Sequence, residues 1–533
     1  MILYIWLCVP LVALWLYLRK TYAYFKDRGV NHLPPVPVLG NMARPVFRKE
    51  HAIHNLCRLY SAFPEDRFVG IYEFVNKLTV IRDPELLRAI GVKDFDCFSD
   101  HRLFTSKEDR LFAKSLFGLT GQKWRDMRST LSPAFTGSKL RGMVPLIQDC
   151  SKNLVRQLNE EMKESKSGYL DLDSKDLFSR YANDVIATCA FGLQVNSVAE
   201  KNNTFHAMGT KMTKFEFVQL AKMFIMIIFP FINKFVEISM FSKNAIDYFS
   251  KIVLRTIKDR EENNIHRPDL IQILLEAKKG TLTHENVKDE KDAGFATVEE
   301  SNIGKGIVKR AWDDDHLAAQ AILFFFGGFE TVSTTMVFLI YELAVNPDVQ
   351  SKLRQEIDKC YKENQGKIDY DTINQIKYLD MVLSESLRKW PPLPAIDRIC
   401  QKRYNLGKPH NKATKDYYLE TGSIVFIPIW PIHYDPRYYS EPTRFNPERF
   451  SDDNKHNIKP FTYMPFGIGP RNCIGSRFAI TEVKAMVFEL LRNFEVTPSP
   501  KTRVPAELDP SNFTMRLLGG NYIRMKPRNS SVL

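Results

Sequence analysis

The sequence predicts a mainly α domain with a minor β part, carried behind an N-terminal apolar helix. Apolar residues recur at three and four spacing through much of the chain, as at Leu154, Leu158 and Met162, the period of a helix with one buried face. One long helix is expected from Asp313 to Asn346, whereas β-branched runs such as Leu78 to Ile81 and Ser423 to Pro428 are few and short. At 533 residues, 44% of them hydrophobic, the chain can bury one large core or two medium ones, and no internal repeat divides it.

The first element runs from Ile2 to Leu18 without a charge and is followed at once by Arg19 and Lys20. As a helix of about 17 residues it reaches roughly 25 Å, against about 27 Å for an endoplasmic-reticulum bilayer, and snorkelling by the two cations closes the gap. A cleaved signal peptide would carry basic residues before the run and a small-x-small site after it, and a mitochondrial leader would be rich in Arg and Ser. Neither pattern is present. Residues 1–20 are therefore expected to be a retained signal-anchor, single-pass in the endoplasmic-reticulum (microsomal) membrane, with the basic flank keeping the rest cytosolic. Residues 21–45 read as a linker whose proline-rich stretch, His32 to Asn41, is a stiff hinge, and 46–533 as the main domain.

Within that domain, Met223 to Phe231 is too short and too proline-interrupted to span a bilayer. A buried core helix and a loop dipping into the membrane face both fit it. Lys278 to Lys309 is polar and charge-rich, the composition of a surface loop. Asp313, Asp314 and Asp315 suit the N-terminus of the long helix that follows.

Net charge is +13, which suits an acidic protein partner, an anionic membrane, nucleic acid or simply a basic surface. No block of five basic residues occurs and aromatics do not interleave with them, so nucleic acid is not an expected partner. The eight cysteines never form a C-x-x-C pair, which argues against zinc and against a disulfide framework.

One cysteine stands apart. Phe466-Gly467-Ile468-Gly469-Pro470-Arg471-Asn472-Cys473-Ile474-Gly475 packs three glycines and a proline around Cys473, directly before a helical pattern from Ser476 to Asn493. Such a loop lets backbone come close to something flat or large. A helix N-terminus and the nearby Arg471 are expected to lower the pKa of the Cys473 thiol, and amides bonded to sulfur moderate a thiolate ligand. A buried structural cysteine is the usual meaning of a lone one.

The ten-residue pattern as a whole resembles the haem-binding loop of the cytochromes P-450, with Phe466, Gly469, Arg471, Cys473 and Gly475 on the family's fixed positions. The resemblance implies the cytochrome P-450 fold, with haem b between a long distal helix and the proximal helix after the cysteine loop. It implies Cys473 as the axial thiolate and Phe466, Gly467 and Gly475 against the cofactor. Trp124 and Arg128, one helical turn apart, and Arg398 and Arg471 align with propionate-binding positions. Glu385 and Arg388 can pair at i, i+3, in itself a common surface arrangement. The segment Pro442 to Phe450 resembles the family stretch that adds Arg449 to make a buried structural triad. His433 matches a family histidine near the haem edge and is expected to be a satisfied core residue.

In Phe326-Gly327-Gly328-Phe329-Glu330-Thr331, two glycines inside a helix imply a close approach or a local distortion. On the family's distal helix, Glu330 and Thr331 match the acid and alcohol that relay protons during oxygen activation. Glu stands where many relatives have Asp, and Gly327 where Ala is frequent. Resemblance in position gives a greasy substrate pocket of Phe112, Leu116, Phe117, Leu323, Phe324, Leu393, Ile396, Phe513 and Met515.

The chain looks most like insect microsomal members, the ninth family nearest. That implies a monooxygenase inserting one atom of O2 into lipophilic small molecules, with detoxification of insecticides and plant compounds as its role. No flavin or nicotinamide motif is present, so NADPH electrons are expected from cytochrome P-450 reductase, with cytochrome b5 a second candidate donor. Oxidation of an endogenous lipid or hormone is the alternative. A haem-thiolate isomerase would not need Glu330 and Thr331, and a haem sensor would turn nothing over.

Overall fold

A computed structural model describes residues 2–102, 110–214, 217–228, 241–279, 294–298, 301, 303 and 312–528. Helices dominate it. Among the described residues nine short strands occur: β1 (Phe68–Glu73), β2 (Asn76–Ile81), β3 (Leu170–Asp173), β4 (Ile396–Ile399), β5 (Tyr404–Gly407), β6 (Tyr417–Leu419), β7 (Ile424–Ile427), β8 (Phe494–Thr497) and β9 (Tyr522–Pro527). They form a four-stranded sheet in the order β1-β2-β7-β4, a three-stranded sheet β3-β9-β8 and a hairpin β5-β6. Only β2 and β7 run parallel; β4 then pairs antiparallel to β7 with Arg398 opposite Val425.

The buried side chains separate into two clusters. One belongs to the four-stranded sheet and includes Phe25, Phe68, Val80, Val425, Met464 and Ile468. The other is helical, and Phe466 and Ile474 pack against it. The cysteine loop therefore lies on the seam between the two cores, with alternate residues anchored on either side.

Three helices frame that seam. Gly137–Glu164 buries one face, including Leu154, Leu158 and Met162, as its spacing predicts. Ser476–Asn493 packs against it, and nearly every residue of Ser174–Phe191 is buried. The long helix runs from Asp314 to Val345, with Asp313 as its cap accepting from the His316 amide at 2.8 Å. Its length and composition would cross a membrane, but it is largely buried in protein and serves as a core helix. The expected distortion is a π turn over Gly328–Val332.

The N-terminal helix spans Ile2–Tyr22, and Val9, Leu11, Val12, Leu14, Trp15, Leu16 and Tyr17 lie exposed on it. Leu18, Thr21 and Phe25 are buried, so its end is continuous with the sheet core. The proline-rich stretch is stitched to the sheet edge by bridges from His32 to Gly70 and from Gly40 to Glu73. Gly40 has φ +58°, and a Cβ there would strike the Tyr72 carbonyl.

Of the stretch Met223 to Phe231, residues through Ile228 close the helix Phe217–Ile228, where Met226 and Ile227 are buried and Ile225 is exposed. Residues 229–231 lie outside the described residues, as does most of the polar segment 278–309.

Candidate functional site

Cys473 sits at the mouth of the proximal helix. Its amide donates to the Phe466 carbonyl at 2.9 Å and closes the loop, and Gly467, at φ +79°, donates to Met464 at 3.0 Å. Gly469 has φ +66°, and a Cβ on it would land on the Gly91 carbonyl, so this position accepts nothing larger than glycine. Gly475 differs: a Cβ there meets only Phe135, at an unstrained 3.7 Å, so protein packing alone does not demand glycine. Cys473 retains accessible surface although its chain neighbours Arg471 and Asn472 are buried.

The electrostatics of the thiol correct one expectation. Arg471 was expected beside the sulfur, but the cation acting on it is Arg128. Burial pushes the Cys473 thiol up, opposed by the Gly475 amide and by Arg128. Arg128 holds the loop directly, donating to Asn472 O at 2.8 Å and to its Oδ1 at 2.7 Å. Arg471 turns the other way. It donates to the carbonyls of Ser99 at 2.7 Å, Leu116 at 3.2 Å and Leu119 at 2.8 Å, and lies 4.1 Å over the Trp124 ring.

Arg398, on β4, is fully buried, and its Nε and Nη2 have no hydrogen-bond partner among the described residues. Burial pulls it down to about 10, with Asp397 opposing; burial and then Arg398 pull Arg471 down to about 9. Arg471 Nη2 pairs with Asp100 Oδ1 at 3.3 Å, which opposes that lowering, whereas the orphaned N–H groups of Arg398 call for an anion. His101 joins the group unforeseen by the sequence. Its Nδ1 is 3.2 Å from Asp397 Oδ1 and 3.4 Å from Arg398 Nη1, and its ring stacks on Phe117 at 4.8 Å.

Across the site runs the long helix. Leu323, Gly327 and Thr331, at i, i+4 and i+8, keep accessible surface although the helix is mostly buried, as does Phe324. A Cβ on Gly327 would meet nothing within 4 Å, whereas one on Gly328 would come within 2.9 Å of Ile186. Gly327 faces open space and Gly328 serves close packing. Phe135 ties the two walls together: it is the neighbour of Gly475 and its ring lies 5.3 Å from Phe324.

Thr331 Oγ1 donates to the Gly327 carbonyl at 2.5 Å. Glu330, next to it in the π turn, does not meet that hydroxyl. Its Oε1 accepts at 3.0 Å from Lys175, a residue that no local pattern singles out.

The residues of the expected triad meet. Arg388 donates to Glu385 at 2.7 and 2.9 Å, both fully buried, and Arg449 Nε lies 3.4 Å from the same carboxylate. His433 is saturated: Nδ1 faces the Arg388 carbonyl at 3.0 Å and Nε2 accepts from the Met464 amide at 3.0 Å.

Of the pocket residues, Leu116 and Met515 are buried, Phe112, Leu323, Phe324 and Ile396 are half-buried, and Phe117, Leu393 and Phe513 are exposed. Phe112 belongs to a short helix, Arg110–Lys114, rather than a loop, and its ring touches Phe117 and Phe241. The backbone of Leu116 donates to Gln320 on the long helix at 2.7 Å, fixing this segment over the site.

Comparison with known proteins follows the same lines. Cytochrome P450 9e2 of Blattella germanica is 42% identical over 547 residues, covering 99% of each chain. Probable cytochrome P450 9f2 of Drosophila melanogaster is 40% identical over 515 residues, covering 95% of each. The family profile "Cytochrome P450" matches residues 31–523. The chain belongs to the cytochrome P450 family, next to insect members of its ninth branch, and is a haem-thiolate monooxygenase.

Proposed function

We propose that this monooxygenase holds haem b through Cys473 and inserts one atom of O2 into lipophilic small molecules, with xenobiotics such as insecticides and plant compounds as its substrates. The observation that carries the ligand assignment is Cys473 accessible among buried neighbours, together with the orphaned N–H groups of the fully buried Arg398. A flat dianionic cofactor answers each feature. Its propionates suit the orphaned N–H groups of Arg398, with Trp124, Arg128 and Arg471 around them, and its plane suits the room at Gly475 and Gly467 and the open face at Gly327.

Haem, when bound, supplies the redox chemistry that activates O2. The chain's residues do the rest. The Gly475 amide moderates the charge on Cys473 Sγ, and Arg128 braces the loop through Asn472. Thr331 Oγ, held by Gly327 O, offers a proton at the open face of the long helix, and Glu330, 18% exposed, can collect one from solvent. Phe112, Leu116, Phe117, Leu323, Phe324, Leu393, Ile396, Phe513 and Met515 supply an apolar lining that excludes water and receives a greasy substrate.

The exposed apolar residues from Val9 to Tyr17, followed by Arg19 and Lys20, support residues 1–20 as a membrane anchor in the endoplasmic reticulum, 21–45 as a linker and 46–533 as the cytosolic domain. A cytosolic domain carrying net positive charge suits an acidic flavoprotein, so NADPH–cytochrome P450 reductase is the proposed donor and cytochrome b5 the second.

The test is turnover of a lipophilic compound panel, including insecticides, by the full chain with reductase and NADPH, beside Cys473→Ser. Oxygenated product from wild type and loss of the thiolate-type band of the reduced carbonyl complex in the variant are expected. A thiolate band surviving in Cys473→Ser would overturn the ligand assignment, and selective turnover of an endogenous lipid or hormone would overturn the xenobiotic role.

A further inference from the structure

Lys175 is 2% exposed, at the start of the buried helix Ser174–Phe191. An ammonium has three protons, and here each has an oxygen: Glu330 Oε1 at 3.0 Å, Ser333 Oγ at 2.9 Å and Thr334 Oγ1 at 3.0 Å. Ser333 spends its own proton on the Phe329 carbonyl at 2.6 Å, so a lone pair is left for the lysine. Burying this amine is costly, and an apolar residue would serve packing better. What the lysine gains in return is a hold on the one carboxylate adjacent to Thr331.

The π turn makes that hold specific. Thr331 points its proton at Gly327 O, while the neighbouring carboxylate is drawn to the Ser174–Phe191 side. Besides Glu330, the charged groups felt by Lys175 are Asp173 on its own side and Arg516 from the C-terminal segment. Burial pulls the amine down and Glu330 is the principal group holding it up.

We propose that Lys175 is a positioning residue for oxygen activation: it fixes the direction of the Glu330 carboxylate relative to Thr331, and so sets how much of the NADPH consumed ends in product. The proposal rests on the monooxygenase reading above. Coupled turnover converts RH, O2, NADPH and one proton into ROH, water and NADP+. Uncoupled turnover converts O2, NADPH and one proton into hydrogen peroxide and NADP+. Both move two electrons, and they differ in whether protons arrive in the right place.

The test uses the full chain with reductase, as wild type, Lys175→Gln, Lys175→Arg, Glu330→Gln and Lys175→Gln/Glu330→Gln, each first checked for an unchanged spectrum of the reduced carbonyl complex. Lys175→Gln should raise peroxide per NADPH several-fold. Lys175→Arg should restore coupling, and the double variant should be no worse than Glu330→Gln. Thermal unfolding of the same set gives a readout independent of turnover, in which the two substitutions should be non-additive. Wild-type coupling in Lys175→Gln, or additive effects in both measurements, would overturn the proposal. If wild type oxygenates no compound, the monooxygenase reading fails instead, and the unfolding cycle still decides whether the pair is coupled.

Discussion

Arg471 lies flat over Trp124, its guanidinium carbon 4.1 Å from the ring centre, and Trp124 is almost wholly buried. The indole supplies the face, three backbone carbonyls supply the edges, and Asp100 Oδ1 pairs with Nη2 at 3.3 Å. Trp124→Ala should cost about 3–5 kcal/mol from lost packing and lower the haem-to-protein ratio together. Trp124→Phe should keep much of the stability. The check is chemical denaturation with haem quantified by difference spectroscopy; a Trp124→Ala variant with normal stability and haem content would remove the pair from the cofactor's seat.

Glu385 joins two arginines from different segments, Arg388 and Arg449, and it also accepts from the Asn446 amide at 2.9 Å. Glu385→Ala leaves Arg388 buried and uncompensated and should cost about 3–5 kcal/mol. Arg449→Ala should cost less, because its contact is longer and its side chain is 11% exposed. Denaturant unfolding of both variants gives the order, and equal losses would contradict this ranking.

Acid should weaken the fold through its buried imidazoles. Burial, then the charge of Arg388, pushes His433 down to about 3; burial, then Arg180, pushes His206 down to about 4. An unfolded imidazole titrates near ~6.5. Below that pH the unfolded chain takes up protons that the folded chain refuses, so stability falls as pH drops from about 6.5 toward 4. The Tm should decline from pH 7 to pH 5, and His206→Gln should flatten that slope. An identical slope in the variant would assign the acid sensitivity elsewhere.

Much of this was readable in sequence, for identifiable reasons. The cysteine loop and the boundaries of Ser476–Asn493 follow from glycine placement and apolar period, and the distortion at Gly327-Gly328 from two poor helix formers in an otherwise apolar helix. Lys175 and His101 could not be read. Their partners lie 155 and 296 residues away, and locally each looks like a solvated side chain. The side of the site that Arg471 takes was likewise set by carbonyls of residues 99, 116 and 119, which no local pattern marks.

The two adjacent glycines of the long helix should respond oppositely to the same methyl group. At Gly327 the added Cβ meets nothing within 4 Å, so Gly327→Ala gains helix propensity of about 1 kcal/mol and should raise Tm. The methyl would stand in open space by Thr331, so its effect should show in ligand affinity rather than folding. At Gly328 the Cβ comes within 2.9 Å of Ile186 Cδ1, on a helix with no room to retreat. Overpacking of about 1–3 kcal/mol should then offset or exceed the propensity gain, and Gly328→Ala should lower Tm. Shortening the obstacle decides the cause: Ile186→Val in the Gly328→Ala background should recover stability although Ile186→Val alone loses it. If the double variant is merely the sum of its parts, the glycine is there for the π turn itself and not for the contact.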